Sequence, residues 1–238
     1  LAGAPRKGEN ESVKKILLRK PFPRATIPPM TIMPNWEAQM PAELARDLRA
    51  RHAEPQRVYH SWRHIEELLA LFAEIEGKLH DPRAVLFAVL FHDAAYDPHS
   101  ADNERSSAEL LAALAADILP PESLARAERM VLATVGHAMP DGLSEPERED
   151  LAYFLDMDLS ILGAAPERFA EYEDQVRREY AHIPEDTYRT GRAAVLQRFA
   201  RREPLYFSEW GRAKFESQAR ANLAQRVEQL RGDAAIAS

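Results

Sequence analysis

Prolines punctuate this chain where apolar, helix-period runs begin. Pro41, Pro82, Pro121, Pro146, Pro166 and Pro184 each stand at or just before such a run. Proline suits the first helical turn because its ring presets the backbone, and the N–H it lacks has no partner there. After Pro41, Leu44 and Leu48 repeat at helical spacing. Asp81-Pro82 pairs a capping carboxylate with a first-turn proline and opens the run Val85, Leu86, Val89, Leu90 up to His92. Pro120-Pro121 breaks the chain ahead of a helix from Glu122 to about Gly136. Ser144-Glu145-Pro146-Glu147 is a capping box leading to Leu151, Phe154 and Leu155, with Asp156 and Asp158 near the helix end.

Three further helices follow from periodicity alone. Residues 59–77 carry His60, His64, Leu68, Leu71, Phe72 and Ile75 along one broad face, and Gly77 is a stop. Residues 103–117 turn Leu110, Leu111 and Leu114 inward, and the stretch 93–102 before them reads as a loop. From Ser208 to about Leu230, Trp210, Phe215, Ala219, Leu223 and Val227 keep helical spacing. No strand, repeat or interdomain linker is legible. The expected fold is one all-α helical bundle over 34–232.

Charge and composition exclude several classes. Residues 1–33 hold seven Lys/Arg against Glu9 and Glu11, so the net −7 leaves the remainder at −12. An acidic body is a poor non-specific partner for nucleic acid. The basic, proline-rich head is expected to be disordered, or an upstream extension if translation starts at Met30 or Met33. It lacks the apolar core of a secretory signal. Cysteine is absent, which removes disulfides and thiolate metal sites. No apolar run approaches the ~18 residues of a membrane span. The expected location is cytoplasmic.

Chemistry concentrates in Tyr59-His60-Ser61-Trp62-Arg63-His64 and Phe91-His92-Asp93. His60 and His64 are one helical turn apart, and His92 with Asp93 closes a second apolar helix. Imidazoles plus a carboxylate suit a divalent transition metal. His52, His80, His99 and His182 lie outside any such pattern and read as ordinary hydrogen-bonded histidines. A zinc protease with the same His spacing needs Glu after the first His, and Ser61 stands there.

These stretches resemble the HD-domain superfamily of metal phosphohydrolases. Tyr59 to His64 is similar to the Y-H-N-x-x-H segment of the cyclic-nucleotide phosphodiesterases, with Ser61 in place of Asn. Asp158-Leu159-Ser160 resembles the D-L-S that carries their last metal-binding Asp. The likeness is strongest to small bacterial metal-dependent HD phosphohydrolases, through Phe91-His92-Asp93, Asp156 to Gly163, and Tyr206-Phe207-Ser208-Glu209-Trp210. It covers about residues 34–230.

The resemblance implies His64, His92, Asp93 and Asp158 as metal ligands. It puts His60 in the place of the general acid and Asp93 at the reacting centre, and leaves orienting the metal's ligands, or ligating the metal itself, as the other readings of His60. His137 is implied as a group for substrate phosphate or a second ion. Arg189, Arg192 and Arg198 sit where a phosphate clamp is useful, and Glu104 where it can orient a water. Asp156 reads as a solvated or capping carboxylate. The cofactor expected is Mn²⁺, Mg²⁺, Co²⁺, Ni²⁺, Fe²⁺ or Zn²⁺. The implied activity is hydrolysis of a phosphate ester or anhydride, a nucleotide among the candidates, by metal-activated water. A non-catalytic nucleotide-sensing module and a di-iron HD-fold oxygenase are the alternatives. Expected partners are a small phosphorylated substrate and, as an open option, a second copy in a homodimer, with neither specific nucleic acid nor membrane.

Overall fold

In a computed structural model, residues 36–236 are described, with side chains to 232; the head expected at 1–33 lies outside them. The described residues form α1 (Ala42–Arg51), α2 (Trp62–Ile75), α3 (Pro82–Phe91), α4 (Asn103–Ala115), α5 (Pro121–Ala133), α6 (Glu145–Asp158), α7 (Pro166–Glu179), α8 (Glu185–Ala200) and α9 (Glu209–Ile236). Short 3₁₀ turns at Trp36–Gln39, Glu76–Lys78 and Leu159–Gly163 join them, and no strand occurs among the described residues. No helix there is long and apolar enough to cross a membrane.

The proline and cap signals translate directly. Pro82, Pro121, Pro146 and Pro166 lie in first turns, and Pro41 and Pro184 occupy N-caps. Asp81 accepts the Ala84 N–H at 3.0 Å, and Ser144 with Glu147 closes the capping box. α3 is buried on every face from Ala84 to Phe91, which an all-apolar helix requires. It packs against α2, α4, α5 and α6 in one core. A second core joins α7, α8, α9 and the Leu159–Gly163 turn, and Tyr59 belongs to it. Asp158, the last residue of α6, stands where the two cores meet.

Two expectations change. α2 begins at Trp62 with Ser61 as its N-cap, so His60 precedes the helix and does not share its face with His64. The cause is a carboxylate from α7, described below. Asp156 is fully buried rather than solvated. It caps α9 from a distance, accepting the N–H groups of Phe207 and Ser208 at 2.8 and 2.7 Å and the Ser208 hydroxyl at 2.6 Å. Burial, partly offset by those bonds, pushes its pKa up to about 6. Gly211 lies so close that a Cβ would stand 2.3 Å from Asp156 Oδ2.

Gly191 is different. It sits exposed inside α8, and an added Cβ meets nothing within 4 Å. Glycine in a helix interior is worse than alanine by ~0.8–1.0 kcal/mol. Gly191→Ala is therefore expected to raise the melting temperature by about 2–4 °C. Scanning calorimetry checks this; a fall would mean that the methyl group meets an obstacle.

Candidate metal centre

Three donor atoms from three helices converge, and a fourth adjoins them. His64 comes from the first turn of α2, His92 and Asp93 from the end of α3, and Asp158 from the end of α6. His64 Nε2 lies 3.1 Å from His92 Nε2 and 3.3 Å from Asp158 Oδ1. His92 Nε2 lies 3.0 Å from Asp93 Oδ2 and 3.5 Å from Asp158 Oδ1. The longest of these separations, His64 Nε2 to Asp93 Oδ2, is 3.9 Å. Bonds of about 2.0–2.2 Å to imidazole and carboxylate place neighbouring donors about 2.8–3.6 Å apart. The His64, His92 and Asp158 atoms therefore fit a divalent cation, with Asp93 Oδ2 adjoining them beside His92.

The surroundings prepare these atoms. His92 Nδ1 is 3.0 Å from the Val89 carbonyl, which can only accept, so Nδ1 carries the proton and Nε2 offers its lone pair. Asp158 divides its oxygens: Oδ1 faces the two imidazoles and Oδ2 meets His137 Nε2 at 2.8 Å. His137 is held with a left-handed φ of 47°, uncommon for a residue with a side chain. Arg202 donates to the Gly136 and His137 carbonyls, both at 2.6 Å, and clasps that turn.

Electrostatics favour positive charge at this point. Burial opposes ionisation of His92, yet Asp93 and Asp158 outweigh it and raise its pKa well above the ordinary imidazole value. Burial likewise opposes charge on Asp93 and Asp158. Their histidine neighbours, His92 foremost, nevertheless hold both carboxyls far below the usual range.

His60 stands beside this group, its ring centroid 6.4 Å from that of His64. Its partner is Glu179, the last residue of α7, whose side chain is fully buried. Glu179 Oε1 accepts the N–H groups of Val58, Tyr59 and His60 at 2.7, 2.8 and 3.0 Å. Oε2 binds His60 Nδ1 at 2.6 Å and the Tyr96 hydroxyl at 2.7 Å. Three consecutive N–H groups aimed at one carboxylate keep residues 58–60 out of the helix, which is why α2 starts late. Burial resists the charge on Glu179, but these bonds, His60's first, pull its pKa down to about 2. The His60 pKa is raised: burial lowers it, while Asp93 and then Glu179 more than compensate. Arg57, its side chain wholly buried, donates to the His60 carbonyl at 3.1 Å and the Asp93 carbonyl at 2.7 Å, tying the two motifs together.

A cavity of about 570 Å³ opens from these groups. His60, His64, His92, Asp93, His137 and Asp158 line one end, and Glu104, Arg192 and Arg198 also face it. Arg192 is already committed, with Nε and Nη2 on Glu173 Oε1 at 3.1 and 2.5 Å. Arg226 takes the other Glu173 oxygen at 2.9 Å. Arg189 does not line the cavity: it donates to the Leu230 carbonyl at 2.9 Å, on the α9 side of α8. The clamp expected of it is not formed. Of the histidines read as ordinary, His52 is buried against the Leu48 carbonyl, His80 pairs with Glu149, and His99 stacks on His182.

Glu179, Arg57 and Arg202 escaped the reading of the sequence. Only Glu179 left a signal there, an acid in register with Phe169, Tyr172 and Val176 on the inward stripe of α7. Comparison with protein-family models, curated proteins and solved structures finds no match for the chain.

Proposed function

We propose that this chain is a cytoplasmic, metal-dependent phosphohydrolase of the HD type. The observation that carries this reading is the convergence of His64, His92 and Asp158, with Asp93 adjoining, beside the buried His60–Glu179 pair. A donor set of imidazoles and carboxylates without sulfur suits Mn²⁺, Mg²⁺, Co²⁺, Ni²⁺, Fe²⁺ or Zn²⁺. Such an ion supplies Lewis acidity and water acidic enough to attack phosphorus at neutral pH.

The chain's own residues supply the rest. Glu179 occupies His60 Nδ1, so Nε2 is the nitrogen left for the cavity that His60 lines. Against burial, Asp93 and Glu179 raise its pKa and so favour the protonated ring, which can give a proton to a leaving oxygen. His137 fixes one Asp158 oxygen so that the other faces the cation position. Arg198, whose guanidinium lies 5.4 Å from the Phe199 ring centroid, has no carboxylate partner among the described residues and can meet a phosphoryl oxygen.

The test is phosphate release from p-nitrophenyl phosphate and a nucleotide panel by EDTA-treated protein with each cation restored in turn. Activity is expected to fall by about 100-fold or more on chelation and to return with a cation. Absence of metal-dependent release from every substrate would refute the reading. Tight nucleotide binding without product would favour the non-catalytic sensor instead.

A further inference from the structure

We infer that the outer part of the cavity receives an aromatic or apolar group, and that the ligand is a phosphate monoester of a bulky apolar alcohol. The phosphoryl half rests on the phosphohydrolase reading; the organic half rests on the walls. Beyond the metal ligands the cavity is lined by Leu162, Tyr172, Val176, Ile183, Val195 and Phe199. Val195 and Val135 extend the apolar surface to the exposed rim, with 36 % and 63 % of their surface accessible. No Asn or Gln lines the cavity, and the Thr134 hydroxyl is already donated to the Val131 carbonyl at 2.7 Å. Glu104, Tyr180, Thr187 and Tyr188 also line it and can meet a few polar groups, but the larger part of the wall is apolar and favours an apolar group.

Charge limits the ligand to one phosphoryl group. Of the two arginines lining the cavity, Arg192 is neutralised by Glu173, leaving Arg198 opposite Glu104, Asp93 and Asp158. Beyond the cation position and His60, a polyphosphate would find one arginine without a carboxylate partner among the described residues to meet its further charges. Size agrees, since about 570 Å³ lies within the range of small-molecule sites. Gly191 also lines the cavity. Its missing side chain leaves open space beside the cavity wall.

The experiment uses the metal-loaded full chain with naphthyl phosphate, ribose phosphate and ATP. It reads both kcat/KM for phosphate release and affinity from ligand-induced thermal shift. Naphthyl phosphate is expected to exceed the other two by about tenfold or more in both. Gly191→Phe, and independently Val195→Asn on the exposed rim, are expected to weaken naphthyl phosphate by about tenfold while changing inorganic phosphate by less than about twofold. Equal or better performance by ribose phosphate or ATP would overturn the inference, as would failure of all three to bind. Unchanged affinity in both variants would overturn it as well. Selective binding of naphthyl phosphate without hydrolysis would uphold the apolar site and refute the phosphohydrolase reading.

Discussion

His92→Ala is expected to abolish cation binding and phosphate release together while leaving the chain folded. The imidazole is the hub of the site: His64 Nε2, Asp93 Oδ2 and Asp158 Oδ1 stand 3.1, 3.0 and 3.5 Å from its Nε2. Loss of a partner outside the ligand shell already costs 10–100-fold in metal affinity. Loss of a ligand is therefore expected to cost more than about 100-fold, with phosphate release falling in step. The side chain is 2 % exposed, so the variant leaves space in the wall and removes an imidazole that lies near both Asp93 and Asp158. Circular dichroism and calorimetry establish that it folds. His80→Ala is the control, since His80 is exposed, pairs with Glu149 and lies outside the cavity. Parallel loss in both variants would mean that the effect does not arise at the cation position.

Glu179→Gln is expected to slow turnover by about 100-fold, the lower end of what general acids contribute, with cation affinity nearly unchanged. The amide keeps the shape and can still accept from residues 58–60, but it carries no charge to hold His60. The His60 pKa then falls, because part of its elevation comes from Glu179. The alkaline limb of the kcat profile moves to lower pH. Equal losses of cation affinity and turnover, with an unmoved pH profile, would make Glu179 an anchor of the fold alone.

The same carboxyl predicts a stability change with a definite sign. Its pKa lies near 4.5 unfolded and about 2 folded. The folded state therefore holds the ionised form more tightly. Its contribution is fully present above about 4.5 and is lost as pH falls through about 2. A shift of that size corresponds to about 3 kcal/mol. Urea titrations should show Glu179→Gln less stable than the native chain by roughly that amount at neutral pH, converging as pH approaches 2.

The helices were legible because their signals are local. A proline or a Ser-x-x-Glu box acts within one turn, and Pro82, Pro146 and Pro166 mark the helices where they stand. The nearness of His64, His92 and Asp158 was reachable because the motifs that carry the resemblance lie at helix ends. What escaped depends on pairings between distant segments. Glu179 reaches residues 58–60 across about 120 positions and sets the start of α2, which periodicity placed at Tyr59. Arg192 and Arg189 carry the right charge on the right helix. Whether either is free for phosphate depends on Glu173 from α7 and the Leu230 carbonyl from α9, which no spacing within α8 reveals. Asp156 was expected to face water or cap a helix. It caps α9, fully buried, because the chain returns there some fifty residues later.

Cobalt(II) titration of the EDTA-treated chain, followed by its visible ligand-field bands, tests the cation site most directly. Saturable uptake of at least about one ion per chain is expected, with bands of nitrogen and oxygen ligation. Those bands should be missing in His92→Ala and retained in Glu179→Gln. Absence of stoichiometric uptake by the native chain, or uptake undiminished in His92→Ala, would contradict the assignment of His64, His92, Asp93 and Asp158 as a metal centre.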